Sequence, residues 1–258
     1  MTNTLQGTTV LVTGAGGGLG KVIATAYLEA GANVTICDIN EGRLEQARGE
    51  LESTQRFLAV NTDITDEAAV NKLVDAIVAK FGRLDIVVSN AGMADTFDPV
   101  GSLSKENWDK VINLNLTASF LVFKAAVNIM EKQSSGLIIQ IGSTASYQGT
   151  SAGAAYTASK HGVAALVKST AGFYGPKGIY AVGLMLGGMI DTNIQDSFAA
   201  LGGFNKEAYS MSTAANFKPE MAIQTKDVAK YCVFLADRDV AASSNGSMIR
   251  FNKNHPNA

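Results

Sequence analysis

Two residues in the stretch "AAYTASKHG" (154–162) are of types that could do chemistry: Tyr156, and Lys160 four positions later. On a helix that spacing puts the phenol and the amine on one face. A free phenol ionises at about pH 10, too high for a base at neutral pH. A neighbouring ammonium favours its ionised form. Such a phenol can take a proton from an alcohol while hydride leaves the same carbon, or return one to a carbonyl. Ser143, at the end of the apolar run "LIIQIGS" (137–143), is the third residue of interest. Its hydroxyl could hold the substrate oxygen and stabilise charge developing there. Tyr-x-x-x-Lys also arises by chance, so the pair gains meaning only from the elements that bring Ser143 to it.

Those elements are legible as alternating apolar runs and helical patterns. "TTVLVTG" (8–14), "NVTICD" (33–38), "RFLAVNTD" (56–63), "LDIVVSN" (84–90), "LIIQIGS" (137–143), "IYAVGLML" (179–186) and "SMIRF" (247–251) read as strands. Most are solidly apolar, the mark of parallel strands covered on both faces. Between them, Val70, Leu73, Val74, Ile77, Val78 and Phe81 form one apolar stripe on a helix from Asp66 to Phe81. Gly82 is its natural stop. Ser104 can cap a longer helix running through Met130, whose second half is apolar almost all round. One side of that half can face the sheet and another a second subunit. Strands and helices in alternation predict an α/β fold with a doubly wound, mostly parallel sheet of seven strands and helices on both faces. No linker, repeat or low-complexity tract interrupts it, so residues 1–258 read as one domain. The stretch Asp191 to Pro219, rich in Gly, Ser and Ala, reads as a substrate lid with short helices of its own.

The first strand ends in "VTGAGGGLG" (12–20), and a helix follows. Gly14 allows the tight turn out of the strand, and Gly18 and Gly20 allow close approach of a pyrophosphate and a neighbouring strand. The helix amino terminus then presents free N–H groups to phosphate. The second strand ends in Asp38, where a carboxylate can accept hydrogen bonds from ribose hydroxyls. It would repel a 2′-phosphate, with Arg43 five residues on as the nearest cation. This predicts NAD(H) as cofactor, whose oxidised nicotinamide would add its positive charge to that of Lys160 in favouring the phenolate. Alternatively, Asp38 merely caps the helix from Glu41. In an open sheet of this kind ligands bind at the strand carboxyl ends, where Ser143, Tyr156 and Lys160 can meet.

These motifs together resemble the short-chain dehydrogenase/reductase family over nearly the whole chain. "TGAGGGLG" (13–20) is similar to its TGxxxGxG, "SNAG" (89–92) to its NNAG, and "YTASK" (156–160) to its YxxSK. "NTDITD" (61–66) resembles its segment after the third strand, "WDKVINLNLTASF" (108–120) its helix bearing a catalytic asparagine, and "IGS" (141–143) its serine motif. The resemblance implies a Rossmann-type fold and a catalytic tetrad of Asn115, Ser143, Tyr156 and Lys160, with Asn115 holding a water in the proton relay from the lysine. It also implies a cofactor site drawn from Gly14, Gly16, Gly18, Leu19, Gly20, Asp38, Ile39, Asp63, Ile64, Asn90, Ala91, Gly92, Tyr156, Lys160, Gly187, Ile190 and Thr192. Dimers or tetramers are common in the family, built on the long helices after the fourth and fifth strands. Two family features are missing. "LGGMIDT" (186–192) has no PG motif, and "NGSMIRFNKN" replaces the usual DGG ending. Both leave local geometry open.

Composition narrows the partners. A formal charge of −2 with no basic stripe argues against nucleic acid. No apolar run reads as long enough to cross a bilayer, and "MTNTLQGTTV" lacks a leader pattern. Cys37 and Cys232 are isolated, and His161 and His255 make no metal pattern, so no metal is expected. The expectation is a cytoplasmic enzyme acting on a small molecule. Ala94, Thr96, Ala145, Tyr147, Gln148, Gly149, Ala152, Gly187 and Gly188 are candidate pocket residues. Ile194, Phe198, Leu201, Phe204 and Met211 could join them from the lid. This largely apolar set suggests a neutral, fairly hydrophobic secondary alcohol or ketone resembling a terpenoid, steroid or polyketide. The lid residues could equally just pack on the core. A redox-neutral epimerase or dehydratase holding NAD, or a non-catalytic NAD sensor, are the alternatives.

Overall fold

The computed structural model describes residues 5–52 and 55–255. The first four residues, part of the segment read as lacking a leader, lie outside the described residues. The strands are β1 (Thr9–Thr13), β2 (Asn33–Asp38), β3 (Phe57–Asn61), β4 (Ile86–Ser89), β5 (Gly136–Ser143), β6 (Ile179–Leu186) and β7 (Met248–Phe251). They form one sheet of seven strands in the order β3-β2-β1-β4-β5-β6-β7. Every neighbouring pair runs parallel, β7 included. The order reverses between β1 and β4, which opens a crevice at the carboxyl ends of the two strands.

The helices between them follow from local signals. They are α1 (Gly18–Glu29), α2 (Glu41–Leu51), α3 (Glu67–Phe81), α4 (Lys105–Ile112), α5 (Ala118–Gln133) and α6 (Ala154–Tyr174), then α7 (Asp196–Ala200), α8 (Lys206–Met211), α9 (Thr225–Phe234) and α10 (Arg238–Ser243). The Asp66 carboxylate accepts from the Ala68 N–H to start α3, and Gly82 ends it in the left-handed region at φ 78°. Ser104 caps α4 by accepting from the Asn107 N–H. A single π-type turn, Asn113–Thr117, joins α4 to α5, so the helical run continues to Gln133 rather than Met130. The asparagine of interest sits in that turn.

Both faces of the sheet are covered, which is why its strands are apolar without alternation. Val10, Val12, Val34, Ile36, Val182 and Leu184 pack with Ile23 and Tyr27 of α1 and Val228 and Cys232 of α9. Leu11, Val87, Ile138 and Ala181 pack on the other face with Leu73 and Ile77 of α3, Phe123 and Val127 of α5, and Val167 of α6. Lys105–Gln133 is long and apolar enough, by length and composition alone, to cross a membrane, and half of its most apolar window is buried in the fold. This corrects the sequence expectation that no segment meets that test, because α4 and α5 join into one run. Residues 191–224 carry α7, α8 and two short 3-10 turns above the crevice.

Candidate active site

β5 ends at Ser143, and α6 starts eleven positions later with Tyr156 and Lys160 in its first two turns. The Ser143 hydroxyl lies beside the Tyr156 phenol and lowers its pKa. Its oxygen also accepts from the Ala145 N–H at 3.2 Å, which fixes the serine rotamer. Lys160 is only 4% exposed. Its Nζ donates to the Ile141 carbonyl at 3.2 Å and stands 5.3 Å from the centre of the Tyr156 ring. The three predicted side chains therefore do meet, at the carboxyl end of β5.

In the protein alone, burial sets the electrostatics of the tyrosine and the lysine. Burial pushes the Tyr156 phenol up to about 12; the neighbouring Ser143 hydroxyl opposes this and the Asp95 charge adds to it. Burial pulls Lys160 down to about 8. In the protein alone the lysine does not bring the phenol toward neutrality, because removing both groups from water outweighs their proximity. Tyr156 is by itself a protonated hydroxyl, competent to donate.

Asn115 stands behind this trio rather than in the cavity wall. Its Oδ1 accepts from the Met93 N–H at 2.8 Å. Its Nδ2 donates to the Met93 carbonyl at 2.9 Å and to Ser159 Oγ at 3.1 Å. The side chain is thus fully engaged in clamping the segment after β4 to α6. The backbone carbonyl of Asn115 accepts from Ser119 Oγ at 2.8 Å within the π-type turn.

The other half of the site is the glycine loop. Gly14 has φ 62°, and a Cβ there would come within 2.7 Å of the Ala91 Cα, so the β1 turn needs glycine. Asn90 locks the loop by donating from Nδ2 to the carbonyls of Thr13 and Gly14. The helix α1 begins after Gly17 with no side-chain cap and no acid in its first turn. Its free N–H groups suit an anion, as a dinucleotide pyrophosphate would require.

Asp38 does not cap α2. Asn40 does, accepting from the Arg43 N–H at 3.0 Å. The Asp38 carboxylate instead accepts from the Gly16 N–H at 3.0 Å and the Asn40 N–H at 2.9 Å. Arg43 is nearer than the spacing suggested: it lines the same cavity wall. Its guanidinium is paired with Asp196 of α7.

One continuous cavity of ≈ 940 Å³ joins these parts. Its walls include Gly14, Gly18, Leu19, Gly20, Asp38, Ile39, Asp63, Ile64, Asn90, Ala91, Gly92, Ser143, Tyr156, Lys160, Gly187, Ile190 and Thr192. Of the predicted site residues, Gly16 and Asn115 lie outside its lining. Beyond Tyr156 the walls are aromatic: Phe97, Phe198, Phe204, Tyr209 and Phe217. Phe97 meets Phe204 and Tyr209 edge-on, with ring centres 5.4 and 5.0 Å away. The "LGGMIDT" loop is braced without a proline. The Gly187 N–H donates to the Phe251 carbonyl, and a Cβ on Gly188 would strike the Phe217 ring at 2.3 Å.

Several expected pocket residues face elsewhere. Ala145 is fully buried, and Leu201 packs with Val111 and Ala155. Thr96 bonds to Asp98, and Met211 is 71% exposed. Tyr147 turns to Arg250 and Asn252 of the chain end, while Gln148 accepts from Ser151 Oγ. Gly149 is exposed and absent from the lining. The sequence reading missed Asp95, Phe97, Asn193, Tyr209, Phe217 and His255, which do line the cavity. Asp95 and Phe97 follow "SNAG" directly and were findable by proximity to it. His255 had no local signal, since only the turn after β7 brings it back over the crevice. Among the described residues no group of three His, Cys, Asp or Glu could hold a metal ion.

Comparison with known proteins agrees with this geometry. A family model described as short chain dehydrogenase matches residues 8–200. The short chain dehydrogenase/reductase dpchG of Colletotrichum higginsianum is 44% identical over 250 residues, covering 95% of this chain and 92% of that protein. The crystal structure of levodione reductase superposes with a TM-score of 0.85 at 28% identity, covering 97% of this chain and 98% of the other. That of actinorhodin polyketide ketoreductase with NADPH gives 0.84 at 26% identity, covering 100% and 99%.

Proposed function

We propose a reaction from the premise that the chain belongs to the short-chain dehydrogenase family: it interconverts a secondary alcohol and a ketone on a neutral, largely apolar molecule, using NAD(H). The observation that carries this reading is the Ser143 hydroxyl beside the Tyr156 phenol, backed by buried Lys160, on the wall of a cavity that runs unbroken to the glycine loop. Gly18, Leu19 and Gly20 at the start of α1 would hold the pyrophosphate, Asp38 the adenosine ribose, and Asn90 to Gly92 the nicotinamide side. Bound there, the oxidised nicotinamide supplies the hydride acceptor and a positive charge. The Ser143 hydroxyl orients the substrate oxygen and leaves Tyr156 in line with it. The phenol gives that oxygen its proton in the reducing direction and accepts it in the oxidising one. Lys160, largely protonated at neutral pH, stabilises the phenolate left after donation.

The aromatic half of the cavity supports an apolar, ring-shaped substrate. Arg43 and Lys160 supply the only Arg or Lys side chains in its lining, and both are engaged, with Asp196 and Ile141 respectively. That leaves no cation among the described lining residues to clamp a substrate carboxylate or phosphate. Levodione reductase and the polyketide ketoreductase, named for ketone substrates, agree with this reading. The test is a panel of cyclic secondary alcohols with NAD, followed by NADH absorbance. Absence of net NADH with every alcohol, and of NADH consumption with the matching ketones, would overturn it.

The choice of NAD rests on Asp38, whose carboxylate would repel a 2′-phosphate. The neighbouring Arg43 is drawn away by Asp196. Replacing Asp38 with Ala and Ile39 with Arg together should move the ratio of kcat/KM values toward NADP(H) by about 10²-fold or more. Parallel kinetics with both cofactors read this, and an unmoved ratio would remove Asp38 from the role. Phe120 on α5 and Phe173 on α6 are exposed, at 46% and 75%. They support assembly of copies through those helices, and a monomer by light scattering would rule that out.

A further inference from the structure

Asp95 is a carboxylate with 1% exposure, on the loop after β4, and no step above uses it. Its Oδ1 accepts from the Gly153 N–H at 3.1 Å and from the Phe97 N–H at 3.1 Å. Its Oδ2 accepts from the Tyr156 N–H at 2.9 Å. Tyr156 is the third residue of α6, so its N–H is one of those a helix start leaves without an internal partner. The residue at the cap position is Gly153, which has no side chain to serve it. A Cβ there would stand 2.6 Å from Asp95 Oδ2. The cap that most helices carry in their own sequence is thus supplied from a different loop, and glycine is what leaves room for it.

The same carboxylate holds a second strained element. Phe97 has φ 64°, a conformation bulky side chains rarely adopt. The Asp95–Phe97 hydrogen bond closes a local turn around it. That turn presents the Phe97 ring to Phe198, Phe204 and Tyr209 in the cavity. Burial raises the Asp95 carboxyl, and the three backbone donors pull the other way.

Resting on the dehydrogenase reading above, we propose that Asp95 is a positioning residue that sets two things at once: the register of Tyr156 against Ser143, and the pose of Phe97 against the substrate. Removing it should then damage kcat through Tyr156 and KM through Phe97, and the two defects should be separable. In Asp95→Ala we expect kcat to fall about 10- to 100-fold, as misplacement of a reacting group does, with KM raised. Adding Gly153→Ser in that background restores a cap from within the helix and should return most of kcat, leaving KM high. Gly153→Ser alone should be harmful, since its side chain meets the intact carboxylate. The substitution therefore changes sign between backgrounds, and the split it leaves, kcat restored with KM still high, is what a merely structural role for Asp95 would not produce.

Hydrogen exchange on the same four proteins reads the proposal without turnover. Exchange should quicken over residues 95–98 and 153–157 in Asp95→Ala, and the double variant should recover protection only in the second segment. If Asp95→Ala fails to fold, the volume-matched Asp95→Asn, with one acceptor oxygen in place of two, should lose protection in at least one of the segments. Unchanged exchange in both segments, or a Gly153→Ser effect of the same sign in both backgrounds, would overturn the proposal. Should the wild-type protein turn over no alcohol or ketone while the exchange pattern holds, the dehydrogenase reading fails and the positioning role of Asp95 stands.

Discussion

Replacing Tyr156 with Phe is expected to lower turnover by about 10²- to 10⁴-fold, the usual worth of a positioned acid–base group, while NADH still binds. The change deletes one oxygen. The ring keeps its place on α6, where the backbone N–H bond to Asp95 does not depend on the side chain. Lys160 keeps its bond to the Ile141 carbonyl, and the loop from Gly14 to Gly20 lies on a different strand. What disappears is the proton donor and its contact with the Ser143 hydroxyl. The defect should therefore appear in kcat, with cofactor affinity by NADH fluorescence close to wild type. Turnover above a tenth of the wild-type rate would mean that another group handles the proton. His255 and Tyr209, which share the cavity, would be the ones to examine.

That prediction was within reach of the sequence because the residues involved sit on regular elements. Ser143 ends an apolar strand, and Tyr156 and Lys160 are one turn apart on a helix, so periodicity and connection rules carry most of their geometry. The glycine loop was readable for the same reason: its position between a first strand and a helix defines its shape. Side chains whose roles depend on long-range partners were not. From the sequence alone Asp38 is able to cap α2, but in the structure Asn40 takes that position. Arg43 looked remote along the chain, yet the turn after β2 folds it onto the cavity wall. Asn115 could be placed on its helix, but not its locked pairing with Met93 and Ser159. The lid was visible as a break in the pattern of strands. Its choice of Phe198 and Phe204 over Leu201 and Met211 was decided by tertiary packing with Phe97, whose positive φ no local pattern announces. The electrostatics were the least legible, because proximity of Lys160 to Tyr156 predicts mutual stabilisation whereas burial predicts the reverse for each. Here burial dominates in the protein alone.

That dominance makes Lys160→Met an informative variant, expected to lose most activity and yet to be more stable than the wild type without ligand. Lys160 carries its charge at neutral pH in a site that pulls its pKa from 10.5 to about 8. At 1.36 kcal/mol per decade this is a penalty of about 3 kcal/mol on the folded state. Methionine has nearly the same length and no charge to bury. The hydrogen bond to the Ile141 carbonyl is lost, at about 1 kcal/mol. That oxygen keeps a second donor, Gln140 Nε2 at 3.0 Å, so it is not left bare. The balance is a gain of roughly 1–2 kcal/mol, or a melting temperature higher by about 2–8 °C for a chain of this size. The sign with pH is fixed by linkage. Between the two pKa values the unfolded chain binds the extra proton, so the wild type gains stability as pH rises from about 8 to 10.5. The penalty is complete below that window and gone above it. The variant's advantage should therefore be full at pH 7 and shrink toward pH 10. Thermal melts of the ligand-free proteins at the two pH values measure this directly. A variant that melts below the wild type at pH 7 would show that the ammonium is stabilised where it lies, and that the phenol beside it has an electrostatic partner even before a cofactor arrives.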